Sequence, residues 1–427
     1  MIVSFEFENH HSYEDEQFFS MERPSNISLK RSSIDVPKYE LQLSRVAAIY
    51  GANASGKSGF LTALQFLQRA VDTGWLRCDP FRLSRNHQIK NSSYSINFIA
   101  GNHLRYQYDL VCNQLTIVSE SLAVWDSQKP SILFEGSFDD NQIKYKFGEK
   151  FTSKNIRKMV EGELNPDGER PLLHLLRQIN EEVTRPAYDF LARGILICCT
   201  NNYSFMFRDF QKRAAKDEDL LAMMNSFLPA IDLGITKVVV DVPRPEAVDE
   251  FLKDRPDTDR DEFVTRNTRL IFQHSGDGAD FQLSHLRESD GTIAAITLLA
   301  FAYDALRDGS VCAVDELDSS LHPLLVSQLV EVFNNSDTNP RNAQLIFTTH
   351  DTSIIERHSN ENLLDRDQIW FAEKDSKGRS SLYSLIEMET PRDSENIGAK
   401  YLHGRYGATP NISLVHRIEQ LIEKGKL

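Results

Sequence analysis

The stretch Gly51–Ser58, "GANASGKS", constrains this chain more than any other. It fits the pattern G-x-x-x-x-G-K-[ST]. A loop of this kind holds a nucleoside triphosphate with successive backbone N–H groups aimed into a concave turn, so side chains at Gly51 and Gly56 would block the approach. Lys57 would reach the β- and γ-phosphates, and Ser58 would give its hydroxyl to Mg²⁺. The pattern needs a strand before it and a helix after it. "RVAAIY" (Arg45–Tyr50) is a short apolar run of strand type. From Ser58 to Val71, Phe60, Leu64, Leu67 and Val71 fall at helical spacing. A helix beginning at the phosphates favours their negative charge.

A second stretch supplies what the loop lacks. In "GSVCAVDELDSSLHP" (Gly309–Pro323), the apolar strand Val311–Val314 ends at Asp315 and Glu316. Triphosphate hydrolysis needs a carboxylate at a strand's end to hold the Mg²⁺ shell, here Asp315. It needs a neighbouring carboxylate to polarise the attacking water, here Glu316. A third apolar run, "LIFTTH" (Leu345–His350), ends in a histidine, which is either an ordinary loop residue or a sensor of the γ-phosphate. Upstream, Ser289, Asp290 and Gly291 precede a long apolar helix. Ser-x-Gly at a helix start makes a ready anion site, while Ser289 or Thr292 could equally serve as the N-cap.

The 427 residues are enough for two or three domains, and 41% apolar with 26% charged residues is the balance of a folded soluble chain. No run of eighteen apolar residues predicts a membrane helix. The N-terminus lacks the basic-then-apolar order of a secretory signal. Five scattered cysteines without a C-x-x-C pair suit buried thiols in a reducing cytoplasm. The net charge of −14 argues against a general nucleic-acid-binding surface, although "SLKRSS" and "FRLSR" are small basic clusters.

Three regions follow from the patterning. Residues 1–150 hold the loop and a β-meander, with strands on either side of Gly101-Asn102 and through "LTIVSESLAVW" and "SILFEGSFDDNQIKYKFG". Residues 151–235 read as a helical insertion, and residues 236–427 as the second lobe. There, "TKVVVDV" is a strand, the Pro-rich acidic run 243–263 is an exposed loop or linker, and "TRLIFQHSGDGADFQLSHL" is a hairpin. No sustained heptads predict a coiled coil.

The set "GANASGKS", "ESDGT", "VDELDSSLHP" and "FTTH" resembles the ABC-like ATPases of the recombination-mediator, SMC and OLD kind. With "ENHHSYEDEQFFSM", "IDLGITKV", "DQIWFAEKD" and "YLHGRYGATP" added, it resembles the AbiLi/RloA-type ATP-binding proteins of bacterial anti-phage abortive-infection systems over nearly the whole chain. The resemblance implies an α/β fold: an ABC-type P-loop ATPase head with an antiparallel β-lobe and an inserted helical region. It implies that Gly51, Asn53, Ala54, Ser55, Gly56, Lys57 and Ser58 line the phosphates of ATP. Ser58 and Asp315 would hold Mg²⁺, Glu316 would be the base and His350 the switch. Asp318 matches the D-loop. Ser289 and Gly291 would complete the site of a partner subunit, and Gln88 is a candidate Mg²⁺ contact from the β-lobe.

The implied protein is a cytoplasmic sensor ATPase, a homodimer or multiple of dimers. It would answer a phage-encoded trigger and control a separate, nuclease-like effector encoded nearby. The alternative is a DNA-repair ATPase that clamps DNA. The signature "ESDGT" lacks the "LSGGQ" of transporter subunits, and "NHHS" (residues 9–12) stands where related proteins often carry an arginine. OLD-type relatives carry a C-terminal nuclease with a D-x-D motif. Asp365–Asp367 imitates it, but too little chain follows His350 for that domain.

Overall fold

The computed structural model describes residues 1–24, 32–84, 90–127, 129–139, 142–164, 168–199, 203–231, 234–253, 260–319, 321–356, 362–388, 396–409 and 414–424. Gln88, Asp232, Leu233 and Pro410, each part of a motif or assignment above, lie outside the described residues, as do parts of both basic clusters.

In chain order the first half contains β1 (Ile2–Glu8), β2 (Gln17–Ser20), β3 (Ser33–Val36), β4 (Leu41–Ser44), β5 (Val46–Tyr50), α1 (Lys57–Thr73), β6 (Ser92–Ile99), β7 (Arg105–Cys112), β8 (Ile117–Trp125), β9 (Ser131–Asp139) and β10 (Gln142–Phe147). Then come α2 (Lys154–Met159), α3 (Leu172–Gln178), α4 (Arg185–Arg193), β11 (Ile195–Cys198), α5 (Tyr203–Ala214) and α6 (Glu218–Ile231). The remainder is β12 (Ile235–Asp241), α7 (Pro245–Leu252), α8 (Arg260–Asn267), β13 (Arg269–Ser275), β14 (Asp280–Ser284), α9 (Asp290–Asp308), β15 (Val311–Val314), α10 (Pro323–Asn334), β16 (Gln344–Thr349), β17 (Ile369–Lys374), β18 (Ser380–Ser384), α11 (Ile397–Leu402) and α12 (Leu414–Glu423).

The strands sort into two main sheets. One runs β10-β9-β8-β7-β6-β1-β2, every pair antiparallel. Its strands β6 and β7 alternate buried and half-buried residues, as a sheet with one more fully covered face requires. The other runs β11-β15-β16-β5-β17-β18, parallel except at β18. Its inner strands β5, β15 and β16 are buried at every position, the mark of a sheet covered on both faces. Helix α1 lies between the two sheets. Its Phe60, Leu64, Leu67 and Val71 are buried in a core shared with Phe5, Phe7, Phe19 and the β-meander. The fold is thus α/β, an ABC-type P-loop head with an antiparallel β-lobe.

The structure departs from the sequence-based expectation in two places. The helical stretch after residue 150 contains β11, which joins the parallel sheet beside β15. The run 243–263 is not simply a loop or linker, since α7 forms within it and α8 begins in it. Pro245 sits in the first turn of α7, where its missing N–H costs nothing. The hairpin of β13 and β14 forms as expected and pairs with β12 in a three-stranded sheet. Among the described residues no helix is long and apolar enough to cross a membrane.

Candidate functional site

The loop Gly51–Gly56 leaves the end of β5 and turns sharply into α1. The turn uses left-handed backbone at Ala54 (φ 64°) and at Gly56 (φ 117°). Gly51 is required by close approach: a Cβ there would lie 2.3 Å from the Ala372 carbonyl oxygen and 2.5 Å from Ser55 Oγ. Lys57 is buried, and its ammonium donates to the carbonyls of Gly51 (2.8 Å) and Ala52 (3.1 Å). It also lies 3.0 Å from His350 Nε2. Burial lowers Lys57 to about 8, against the pull of Glu316, Asp315 and Asp318. Burial first, then the Lys57 charge, lowers His350 below the ordinary imidazole range. A neutral His350 with its proton on Nδ1 accepts from Lys57 through Nε2.

Three strand ends converge here. At the end of β15, Asp315 accepts from Ser58 Oγ (3.1 Å) and from Thr348 Oγ1 (2.7 Å). Its own N–H donates to the Cys198 carbonyl at 2.8 Å, so the unforeseen strand β11 fixes the position of this aspartate. Glu316 follows with φ 52°, an uncommon conformation for a side-chain-bearing residue. Its N–H donates to Thr348 Oγ1 at 2.7 Å. Asp318 accepts from the His350 N–H at 3.3 Å, which ties the segment after β15 to the end of β16.

Ser289 and Gly291 lie at the opposite end of the 19-residue helix α9 from β15. Ser289 is the N-cap of α9, its Oγ accepting from the Thr292 N–H at 3.0 Å and lying 2.8 Å from Thr292 Oγ1. Glu288, just before it, lies 2.8 Å from His274 Nε2 of β13, at hydrogen-bond distance.

The loop also leans on residues to which sequence reasoning attached no role. Tyr13 donates to the Gly56 carbonyl (3.0 Å), and Ser380 Oγ lies 2.6 Å from the Ser55 carbonyl. The N–H of Ala52 donates to the Ala408 carbonyl at 2.8 Å, and Tyr401 packs edge-on against Tyr50. The motifs "ENHHSYEDEQ" and "YLHGRYGATP" therefore have a physical place: they brace the two ends of the loop. Asp365 and Asp367 lie at the start of β17, where both carboxylates pair with the buried Arg23 (3.0 and 3.3 Å).

The donor set suits a metal-bound triphosphate. Ser55 Oγ and Asp318 Oδ1 are buried without a hydrogen-bond partner among the described residues. The space beside Gly51 admits no side chain. Ser58 and Asp315 bring two hard oxygen donors together, the number Mg²⁺ commonly takes from a protein when phosphates and water supply the rest.

A phosphate-loop strand and helix, a strand-end acid pair and a head with an antiparallel lobe define the class: a P-loop nucleotide-binding head of the ABC type. The chain belongs to the family described as "AAA domain, putative AbiEii toxin, Type IV TA system", which matches residues 46–187 and 198–356. Among solved structures it is similar to an Smc head bound to the C-winged helix domain of ScpA (TM-score 0.45, 14% identity, 90% of this chain and 97% of that one). It is also similar to the Smc head domain with a coiled coil and joint from Pyrococcus yayanosii (0.41, 11%, 90% and 98%). A third is the recombination mediator protein RecF with ATP (0.38, 13%, 90% and 97%). No curated protein matches the chain.

Proposed function

We propose that the chain is an ATPase of the AbiLi/RloA type, in which Lys57, Ser58, Asp315, Glu316 and His350 act on one Mg²⁺-bound ATP. The observation that carries this reading is the convergence of Lys57 on His350 and of Ser58 on Asp315, which joins residues far apart in sequence around one loop. The loop's backbone, with Asn53, Ala54 and Ser55, would wrap the phosphates. Lys57 would exchange its carbonyl and imidazole partners for β- and γ-phosphate oxygens. Ser58 and Asp315 would hold Mg²⁺, which supplies charge neutralisation to the phosphate oxygens. Glu316 takes the proton of the attacking water. His350 reports the γ-phosphate to Asp318 through its own backbone N–H.

Ser289 and Gly291 serve the site of a second copy, because the helix start they form offers N–H groups to a phosphate and lies outside the local cluster. Hydrolysis then requires a dimer, or a multiple of dimers, that closes on ATP. The family description, which names a toxin–antitoxin system, supports a place in anti-phage defence. There the head would sense a phage-encoded trigger and control a separate nuclease-like effector. Native mass with and without ATP, run beside phosphate release, tests the core of the reading. Glu316→Gln is expected to abolish release and to trap an ATP-dependent dimer. A Glu316→Gln protein that hydrolyses ATP normally and ignores it in assembly would overturn the assignment.

A further inference from the structure

The edges of the two main sheets meet on the side of the head formed by β2 and β18, each the last strand of its sheet. Gln17 Oε1 of β2 accepts the Leu382 N–H of β18 at 2.8 Å, which ties the two edges. Beside this tie lies a cavity of about 720 Å³, within the size range of ligand sites.

Its rim carries four exposed glutamates, Glu16, Glu22, Glu40 and Glu387, with the apolar side chains of Phe18 and Ile386 between them. Among the described lining residues Arg23 is the one cation, and Asp365 and Asp367 already hold it. The described part of the lining is therefore strongly negative.

Two of its buried residues carry polar atoms with no partner among the described residues. Trp370 is 3% exposed and its Nε1–H donates to nothing; Asp367 is 5% exposed and its Oδ1 accepts from nothing. Gln42 Oε1, also in the lining, is an unpartnered acceptor. Buried polar atoms left unpaired are costly, so a site with both kinds calls for a ligand with both complements. The carboxylates call for a cation. The indole N–H calls for an acceptor such as a carbonyl. Phe18 and Ile386 call for apolar surface. A polyamine brings donors alone and leaves Trp370 unanswered. An extended peptide brings basic side chains, carbonyls and apolar side chains at alternating positions.

We propose that this cavity is a docking site for an extended basic segment of a partner protein, its lysine or arginine side chains flanked by apolar residues. The site is separate from the nucleotide loop and does not depend on the function proposed above.

The probe is a fluorescein-labelled pentapeptide of alternating leucine and arginine, titrated against the full chain by polarisation. The comparators are the leucine–glutamate pentapeptide and unlabelled spermidine. Saturable binding is expected for the basic peptide only. The triple variant Glu16→Gln/Glu22→Gln/Glu40→Gln should weaken it about tenfold or more, since three exposed charges each contribute modestly. Trp370→Phe, which keeps an aromatic wall and removes the N–H, should weaken it about three- to tenfold. Lys57→Ala should bind the peptide as the natural chain does. Unchanged affinity in the triple variant, no saturation up to about 1 mM peptide, or full displacement by spermidine at equal charge would each overturn the proposal. Nucleotide binding measured on the same triple variant shows that it is folded. Absence of peptide binding by the natural chain, with its nucleotide binding intact, removes this inference alone.

Discussion

Thr348→Val isolates one hydroxyl at the centre of the candidate site. Thr348 is fully buried near the end of β16. Its Oγ1 donates to Asp315 at 2.7 Å and accepts the Glu316 N–H at 2.7 Å. Valine keeps the shape and the strand preference and removes both bonds. Asp315 retains Ser58, so the sharper loss falls on the Glu316 N–H, left with no acceptor. An unsatisfied donor costs about 1–3 kcal/mol when fully buried, and this one is half-buried. Glu316 already holds φ 52°, and an uncommon backbone of this kind costs about 1–3 kcal/mol unless its surroundings enforce it.

With the enforcing bond gone, about 2 kcal/mol of preference for that conformation is lost, a factor of about 30. Turnover should fall about 10- to 100-fold, with the KM for ATP within about threefold, because the loss lies in placing the proposed base rather than in holding phosphate. The melting temperature should fall by a few degrees. Thr348→Ser keeps the hydroxyl and should restore turnover to within about threefold. Phosphate release and calorimetry on the three proteins decide it. If valine turns over like threonine, Thr348 does not position Glu316 and the reasoning fails.

Other changes test other parts. Gly51→Ala places a methyl 2.3 Å from the Ala372 carbonyl oxygen and should abolish binding of a fluorescent ATP analogue, whereas retained affinity would show that the loop yields there. The same titration against pH tests Lys57, which burial lowers to about 8: below that value the ammonium is charged and holds phosphate, above it the amine is neutral. Affinity should be flat through neutrality and fall about tenfold per pH unit above about 8. The sign for stability is opposite, because the folded chain holds this proton less tightly than the unfolded one. Lys57's contribution to stability therefore rises with pH between about 8 and its ordinary 10.5. Glu120, buried in the β-lobe, accepts from Tyr108, Tyr145 and the N–H groups of Leu172 and Leu173. Glu120→Gln turns one accepting oxygen into a donor facing two donors. It should cost about 2–4 kcal/mol in urea unfolding, and a loss under about 0.5 would refute this account.

What was legible in the sequence follows the range over which each signal acts. The loop with its flanking strand and helix, the acid pair at the end of β15, the histidine after β16 and the hairpins all depend on neighbours in the chain, so local pattern carried them. The sequence offers Ser289 as either cap or anion site, and the structure shows the capping bond. β11 was hidden because four apolar residues between helical segments do not reveal their period. α7 was hidden because Pro245 reads as a breaker unless its place in the first turn is known. The supports of the site were the least legible. Asp315 is fixed by the Cys198 carbonyl, Ala52 by Ala408 and the Ser55 carbonyl by Ser380, pairs brought together only by the sheet order and the closing segments. A phosphate loop announces which atoms would meet a nucleotide. The rigidity those atoms need is supplied by backbone groups of other strands, and a carbonyl has no residue type by which to be recognised.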